Sequence, residues 1–170
     1  MNISNYIKDI HDFPKEGIVF KDISPLLANP QALKQVINSI TSRYTSNKLD
    51  KIVGLDARGF IFGSVVAYAL DVPFVMVRKP GKLPYECISI DYDLEYGTNT
   101  FELHKNAIAK NDNVLIVDDL LATGGSVQAV IKLIQELDAN VVALECIIEL
   151  GFLNARSLLG IDINAQITYD

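Results

Sequence analysis

The string Asn113-Val114-Leu115-Ile116-Val117-Asp118-Asp119-Leu120-Leu121-Ala122-Thr123-Gly124-Gly125-Ser126 constrains this chain more than any other. Val114 to Val117 are apolar, three of the four are β-branched, and with Asn113 they read as a buried strand. After the acids and the glycine pair, Val127, Val130, Ile131, Ile134 and Leu137 recur on one helical face. The same order appears earlier. Lys51-Ile52-Val53-Gly54-Leu55 reads as a strand, Asp56-Ala57-Arg58-Gly59 as a turn, and 60–70 as a helix. Pro73-Phe74-Val75-Met76-Val77 is a further buried strand, and 140–150 contains a fourth. Strands alternating with helices imply an α/β fold, with a mostly parallel central sheet flanked by helices. Ligands of such sheets bind beyond the carboxyl ends of the strands. The turns after Leu55, Val77 and Val117 should therefore share one edge.

Elsewhere, Asn29-Pro30 has the form of an N-cap followed by proline at the first helical position. Leu33, Val36, Ile37, Ile40 and Tyr44 then give a buried helical stripe. Residues 79–100 break the pattern with Pro80, Gly81, Pro84 and Gly97. Part of this stretch reads as a hairpin, with Ile88-Ser89-Ile90 in one arm and 99–103 in the other. The remainder reads as a long mobile loop, a common form for lids.

The length of 170 residues fits one domain, and 49% hydrophobic with 21% charged residues fits a folded chain. The apolar runs are too short to span a bilayer, so no membrane partner is expected. No signal peptide is evident at the first residues, which makes the cytoplasm the expected compartment. A net charge of −6 argues against a bulk grip on nucleic acid. Cys87 and Cys146 lack metal-ligand spacing and read as reduced thiols. His11 and His104 are isolated and carry no assigned role.

The chemistry lies in the turns. Gly124 and Gly125 have no side chains, so backbone N–H groups can come close to an anion. Thr123 and Ser126 add hydroxyl donors, and the helix start adds its positive dipole end. Asp118 and Asp119 would repel a phosphate in direct contact, but they suit a neighbouring diol whose hydroxyls donate to them. Phosphate and diol together point to a ribose 5-phosphate. An ATP-type P-loop is excluded, because Phe60 stands where the Gly54 to Gly59 spacing would need lysine.

The segment 114–126 resembles the phosphoribosyl pyrophosphate (PRPP) signature of type I phosphoribosyltransferases. Further strings narrow the likeness to the adenine phosphoribosyltransferase family: Phe13-Pro14-Lys15-Glu16-Gly17-Ile18-Val19-Phe20-Lys21-Asp22-Ile23-Ser24-Pro25-Leu26-Leu27, Gly54-Leu55-Asp56-Ala57-Arg58-Gly59-Phe60, Arg78-Lys79-Pro80-Gly81-Lys82-Leu83-Pro84 and Leu94-Glu95-Tyr96-Gly97. They occur in the family's order and cover nearly the whole chain. The resemblance implies the type I phosphoribosyltransferase fold as a single domain over 1–170, with a base-recognition segment at 1–29 and a flexible loop at 79–100.

It also implies roles. Ala122, Thr123, Gly124, Gly125 and Ser126 would hold the 5-phosphate, and Asp118 and Asp119 the ribose hydroxyls. Serine replaces the family's frequent threonine at Ser126 and keeps the hydroxyl. Asp56, Ala57 and Arg58 match the pyrophosphate loop, where a cis peptide at Asp56–Ala57 is implied. Some members have serine where this chain has Ala57. Arg78, Lys79 and Lys82 would add cations for the leaving group. Residues at the position of Arg78 can reach a neighbouring subunit, which implies a homodimer. Val19, Phe20 and Lys21 match the adenine-recognition segment. Phe20 would stack on the base with Leu120 on its other face, and backbone groups of Val19 and Lys21 would read its edge. Arginine is frequent where this chain has Lys21, and a backbone role tolerates the change. Glu95 matches the catalytic lid acid that exchanges a proton with purine N7, and Tyr96 would help close the lid.

The implied activity is transfer of the phosphoribosyl group from PRPP to adenine, giving AMP and pyrophosphate in purine salvage. Mg²⁺ is the implied cofactor, held by PRPP and water with no protein cage. Two other readings share the fold: transfer to another base, or a regulator that binds PRPP without catalysis. Such regulators usually carry an added DNA-binding domain, which none of these residues is expected to supply.

Overall fold

A computed structural model describes residues 1–46, 48–93 and 98–170. A 3-10 turn (Ile3–Tyr6) leads into strands β1 (Lys8–His11) and β2 (Val19–Asp22), then helices α1 (Ser24–Ala28) and α2 (Pro30–Ser42). Next come β3 (Lys51–Leu55), α3 (Gly59–Leu70), β4 (Phe74–Val77), β5 (Cys87–Asp93) and β6 (Thr98–His104). The chain finishes with β7 (Asn113–Leu121), α4 (Gly125–Glu136), β8 (Asn140–Leu150), a 3-10 turn (Gly151–Leu153), α5 (Arg156–Leu159) and β9 (Asp162–Tyr169).

Among the described residues, five strands form the central sheet in the order β4-β3-β7-β8-β9, and every pairing is parallel. The expected parallel sheet is thus present. Side chains alternate across it. Ile52, Leu115 and Val117 pack on one face with Leu26 of α1, Val36, Ile37 and Ile40 of α2, and Phe62 and Val66 of α3. Val53, Leu55, Val114 and Ile116 pack on the other with Val127, Val130 and Ile134 of α4. Both faces are covered, which is why the strand sequences are almost continuously apolar.

The expected cap of α2 is formed: Asn29 Oδ1 accepts from the N–H groups of Gln31 at 3.1 Å and Ala32 at 3.0 Å. Such a cap contributes about 1 kcal/mol. Each fully buried aliphatic side chain contributes about 1.5–3 kcal/mol, so the stripe of Val36, Ile37 and Ile40 outweighs the cap in docking α2.

β7 differs from expectation. It continues past Val117 to Leu121, because the long β8 offers backbone partners beyond that point. Asp118 pairs with Cys146, Leu120 with Ile148 and Leu121 with Glu149. The acid pair therefore sits on the end of a strand rather than in a turn. The expected hairpin is formed by β5 and β6, with Ile88 opposite Leu103 and Ile90 opposite Phe101. Its apolar side chains pack with the α4 face of the sheet. A small antiparallel hairpin, β1-β2, stands apart at the amino-terminal end.

Candidate active site

Strand register brings the turns to one edge. Leu55 is level with Val77, and Gly54 is level with Val117. Asp56 and Arg78 follow the ends of β3 and β4, beside Asp118, which is still paired with β8. Asp56, Ala57 and Arg58 line one open cleft of about 290 Å³ together with Asp118, Asp119, Leu120, Ala122, Thr123, Gly124, Gly125 and Ser126. Leu121 and Val127, not among the expected site residues, complete its wall.

Gly124 opens α4 with φ +89°, a left-handed conformation that other residues adopt only with strain. The first helical hydrogen bond is donated by Gln128 N–H to Gly124 O at 2.9 Å. The N–H groups of Gly125, Ser126 and Val127 consequently have no carbonyl within the helix. N–H groups left free at a helix start suit an anion.

The two acids have distinct settings. Asp119 is buried and Asp118 half-buried. Asp118 Oδ1 accepts from Asp119 N–H at 2.9 Å. Burial pushes the Asp118 carboxyl well above its ordinary value, and the neighbouring Asp119 charge pushes it further. Burial also raises Asp119, with the Arg58 charge pulling the other way. Hydroxyl donors of a diol would relieve both groups. Gly59 makes the approach possible. A Cβ there would lie 2.8 Å from Asp118 Oδ1 and 2.9 Å from Val117 O.

Arg58 bridges the two halves of the cleft. Its Nε lies 2.8 Å from Asp119 Oδ2. The N–H is not aimed at that oxygen, so the contact is an ion pair without a hydrogen bond. Arg58 Nη1 and Asp119 Oδ2 are buried with no hydrogen-bond partner among the described residues. The arginine also lies 5.1 Å over the Phe20 ring. That contact connects the amino-terminal hairpin to the cleft.

The peptide Asp56–Ala57 is cis, as the resemblance implied, and so is Phe13–Pro14. The basic cluster converges on Asp56. Its Oδ2 lies 3.2 Å from Arg78 Nε and 3.6 Å from Lys82 Nζ, and accepts from Lys79 N–H at 3.5 Å. Burial works to raise the Asp56 carboxyl, but the Arg78 hydrogen bond, the Lys79 N–H and the Lys82 charge outweigh it and hold the group below its ordinary value. Arg78, Lys79 and Lys82 thus gather beside the cleft without lining it.

Phe20 packs edge-on against Phe13, with ring centroids 5.3 Å apart. The Lys21 side chain turns away. Its Nζ donates to Asp9 Oδ1 at 2.7 Å and sits 3.7 Å over the Tyr169 ring. What Lys21 can offer a ligand is its backbone. Among the described residues β2 pairs only with β1, so its outer edge presents N–H and C=O groups. Val19 on that strand is exposed. Glu95 and Tyr96 lie outside the described residues.

A parallel sheet in this order, with a glycine-opened helix and an acid pair facing an Asp-Ala-Arg turn, defines a phosphoribosyltransferase. The family model for the phosphoribosyl transferase domain matches residues 22–151. The adenine phosphoribosyltransferase of Maridesulfovibrio salexigens is 51% identical over 98% of this chain and 99% of its own length. The crystal structure of adenine phosphoribosyltransferase from Thermoanaerobacter pseudethanolicus matches with a TM-score of 0.94 at 46% identity, covering 98% of each chain. The enzyme from Saccharomyces cerevisiae, complexed with an imino-altritol bisphosphate and adenine, matches with a TM-score of 0.92 at 41% identity, covering 97% of this chain and 96% of that one. This chain belongs to the adenine phosphoribosyltransferase family.

Proposed function

We propose that this chain transfers the 5-phosphoribosyl group of PRPP to adenine, releasing pyrophosphate and forming AMP in purine salvage. One observation carries the reading: a single cleft holds a helix-start anion site, an acid pair and the Asp56-Ala57-Arg58 turn, with Phe20 against Arg58 at its mouth. In this reading Ala122 to Ser126 grip the 5-phosphate, and Asp118 and Asp119 accept from the ribose hydroxyls. Arg58 and the backbone of Asp56 and Ala57 meet the pyrophosphate, with Arg78, Lys79 and Lys82 adding positive potential beside it.

The C1–O bond to pyrophosphate breaks ahead of attack, leaving an oxocarbenium-like ribosyl centre, as in glycoside cleavage. Adenine N9 supplies the electron pair of the new bond. Adenine reacting through an N9 lone pair carries its ring proton on N7, and Glu95 accepts that proton as charge moves across the ring. Leu120 and Phe20 sandwich the base. Adenine presents an N6 donor beside an N1 acceptor, which a C=O and N–H pair on the free edge of β2 can match. Hypoxanthine would leave those groups unpaired. Although β5 and β6 order much of the 79–100 stretch expected to be a flexible loop, it would still serve to exclude water while the reactive centre exists.

Among the described residues no three His, Cys, Asp or Glu side chains gather in a form that could hold a metal. In this reading Mg²⁺ would be held by PRPP and water. Bound in this way, Mg²⁺ would offset charge on the departing pyrophosphate.

The chain acts as one domain, 1–170, with its base-recognition segment at 1–29. A homodimer is supported by Ile61, Val65 and Tyr68, exposed on one face of α3, and by Met76 on the edge strand β4. In this reading Arg78 would reach a partner's cleft. A cytoplasmic setting suits the free thiols of Cys87 and Cys146. No described helix is long and apolar enough to cross a membrane. Turnover on a purine panel with PRPP and Mg²⁺ tests the activity. AMP formed from adenine in preference to products from hypoxanthine and guanine is expected, and absence of AMP would overturn the reading.

A further inference from the structure

The loop that opens α4 rests on α5. A Cβ on Gly124 would lie 3.1 Å from Ala155 Cβ and 3.5 Å from Leu159 Cδ2. Ala155 and Leu159 bracket α5 and are both buried. A helix as short as Arg156–Leu159 has little stability of its own. An outside contact must hold it.

That contact is a two-pronged ion pair. Arg156 donates from Nε to Glu149 Oε1 at 2.7 Å and from Nη2 to Glu149 Oε2 at 2.7 Å. Its Nη1 donates to Ile163 O at 2.9 Å, and Thr168 Oγ1 donates to Glu149 Oε2 at 3.3 Å. Glu149 is only 3% exposed and sits opposite Leu121, the last residue of β7 before the loop. It is therefore linked to both ends of the loop: through the sheet to Leu121, and through Arg156 and α5 to Gly124. The fork geometry of such a pair sets direction as well as distance. Neither residue lines the cleft.

We propose that Glu149 and Arg156 are positioning residues that set the shape of the 122–126 loop and hence its grip on the 5-phosphate of PRPP. The proposal rests on the function given above. Glu145 provides the comparison. It is buried on the same strand, but its partners are Arg43 at 2.9 Å and the Tyr44 hydroxyl at 2.7 Å, from the end of α2.

The test is steady-state kinetics and thermal unfolding of Glu149→Gln, Arg156→Lys and Glu145→Gln, with calorimetry of PRPP and Mg²⁺ binding. Wild-type AMP formation is measured first. Its absence would defeat the proposed function, while PRPP calorimetry would still read the positioning effect. Glu149→Gln and Arg156→Lys should raise the PRPP KM and Kd about tenfold, with kcat and adenine KM within about twofold. Glu145→Gln should lower Tm without changing PRPP affinity. Unchanged PRPP affinity in the folded loop-side variants would overturn the proposal, as would an equal loss in Glu145→Gln. Should Glu149→Gln fail to fold, Arg156→Lys decides, because it keeps the charge and alters only the fork.

Discussion

Arg58 Nε lies 2.8 Å from Asp119 Oδ2, so the turn after β3 and the acid pair ending β7 are held together by charge. The same guanidinium keeps a buried Nη1 without a hydrogen-bond partner among the described residues. An incoming anion would find a donor already in place. Charge-assisted hydrogen bonds contribute about 1.5–3 kcal/mol. Arg58→Ala should therefore lower kcat/KM for PRPP roughly 10–100-fold. Steady-state titration of PRPP at saturating adenine checks this.

Gly59 is the position where the two turns come closest. A methyl group there would meet Asp118 Oδ1 at 2.8 Å and Val117 O at 2.9 Å. The second of these is backbone and cannot swing aside. Gly59→Ala should destabilise the fold by about 1–3 kcal/mol, and activity should fall further than stability because the acid pair is displaced. Chemical denaturation alongside turnover separates the two effects.

The raised Asp118 carboxyl has a pH consequence. A carboxyl whose folded value exceeds its unfolded one holds its proton longer in the native state. Stability of the ligand-free protein then falls as pH rises from the ordinary value of 3.8 through the raised one. Asp118→Asn removes this penalty. Its Tm should exceed that of the wild type at pH 7, and the gap should close toward pH 4. Its affinity for PRPP should drop, since the ribose loses an ionised acceptor. Scanning calorimetry across pH, compared between the two proteins, checks the sign.

Phe20 and Lys21 should respond differently. Stacking of a base on an aromatic ring is worth about 1–3 kcal/mol, so Phe20→Ala should raise the adenine KM roughly tenfold. The Lys21 side chain is committed to Asp9 and Tyr169. Lys21→Ala should leave the preference for adenine over hypoxanthine unchanged if the backbone alone reads the base. Competition between the two bases measures this.

The proposed function gives Glu95 the proton exchange with the purine. Glu95→Ala should lower kcat while leaving the calorimetric affinity for PRPP near that of the wild type. Unchanged turnover would remove it from the chemistry.

Much of the frame was legible in the chain because a strand buried on both faces must be apolar throughout. Residues 52–55, Phe74–Val77 and 114–117 show that pattern, and Asn140–Leu150 shows it apart from Asn140 and the buried, paired Glu145 and Glu149. β9 does not. Asp162–Tyr169 alternates polar and apolar residues, the pattern of a half-buried edge strand, which a search for continuous apolar runs passes over. The extension of β7 to Leu121 was equally hidden, since only β8 supplies the pairing partners.

The chain by itself determined the sheet type, the glycine-opened loop, the adjacent acids and the family, because these depend on residue types at short spacing. Tertiary structure alone decided that Arg58 pairs with Asp119, that Arg78 and Lys82 converge on Asp56, and that α5 lies beneath Gly124. Those pairings join residues distant in sequence. Strand order and register set which side chains meet, and neither is encoded in any local pattern.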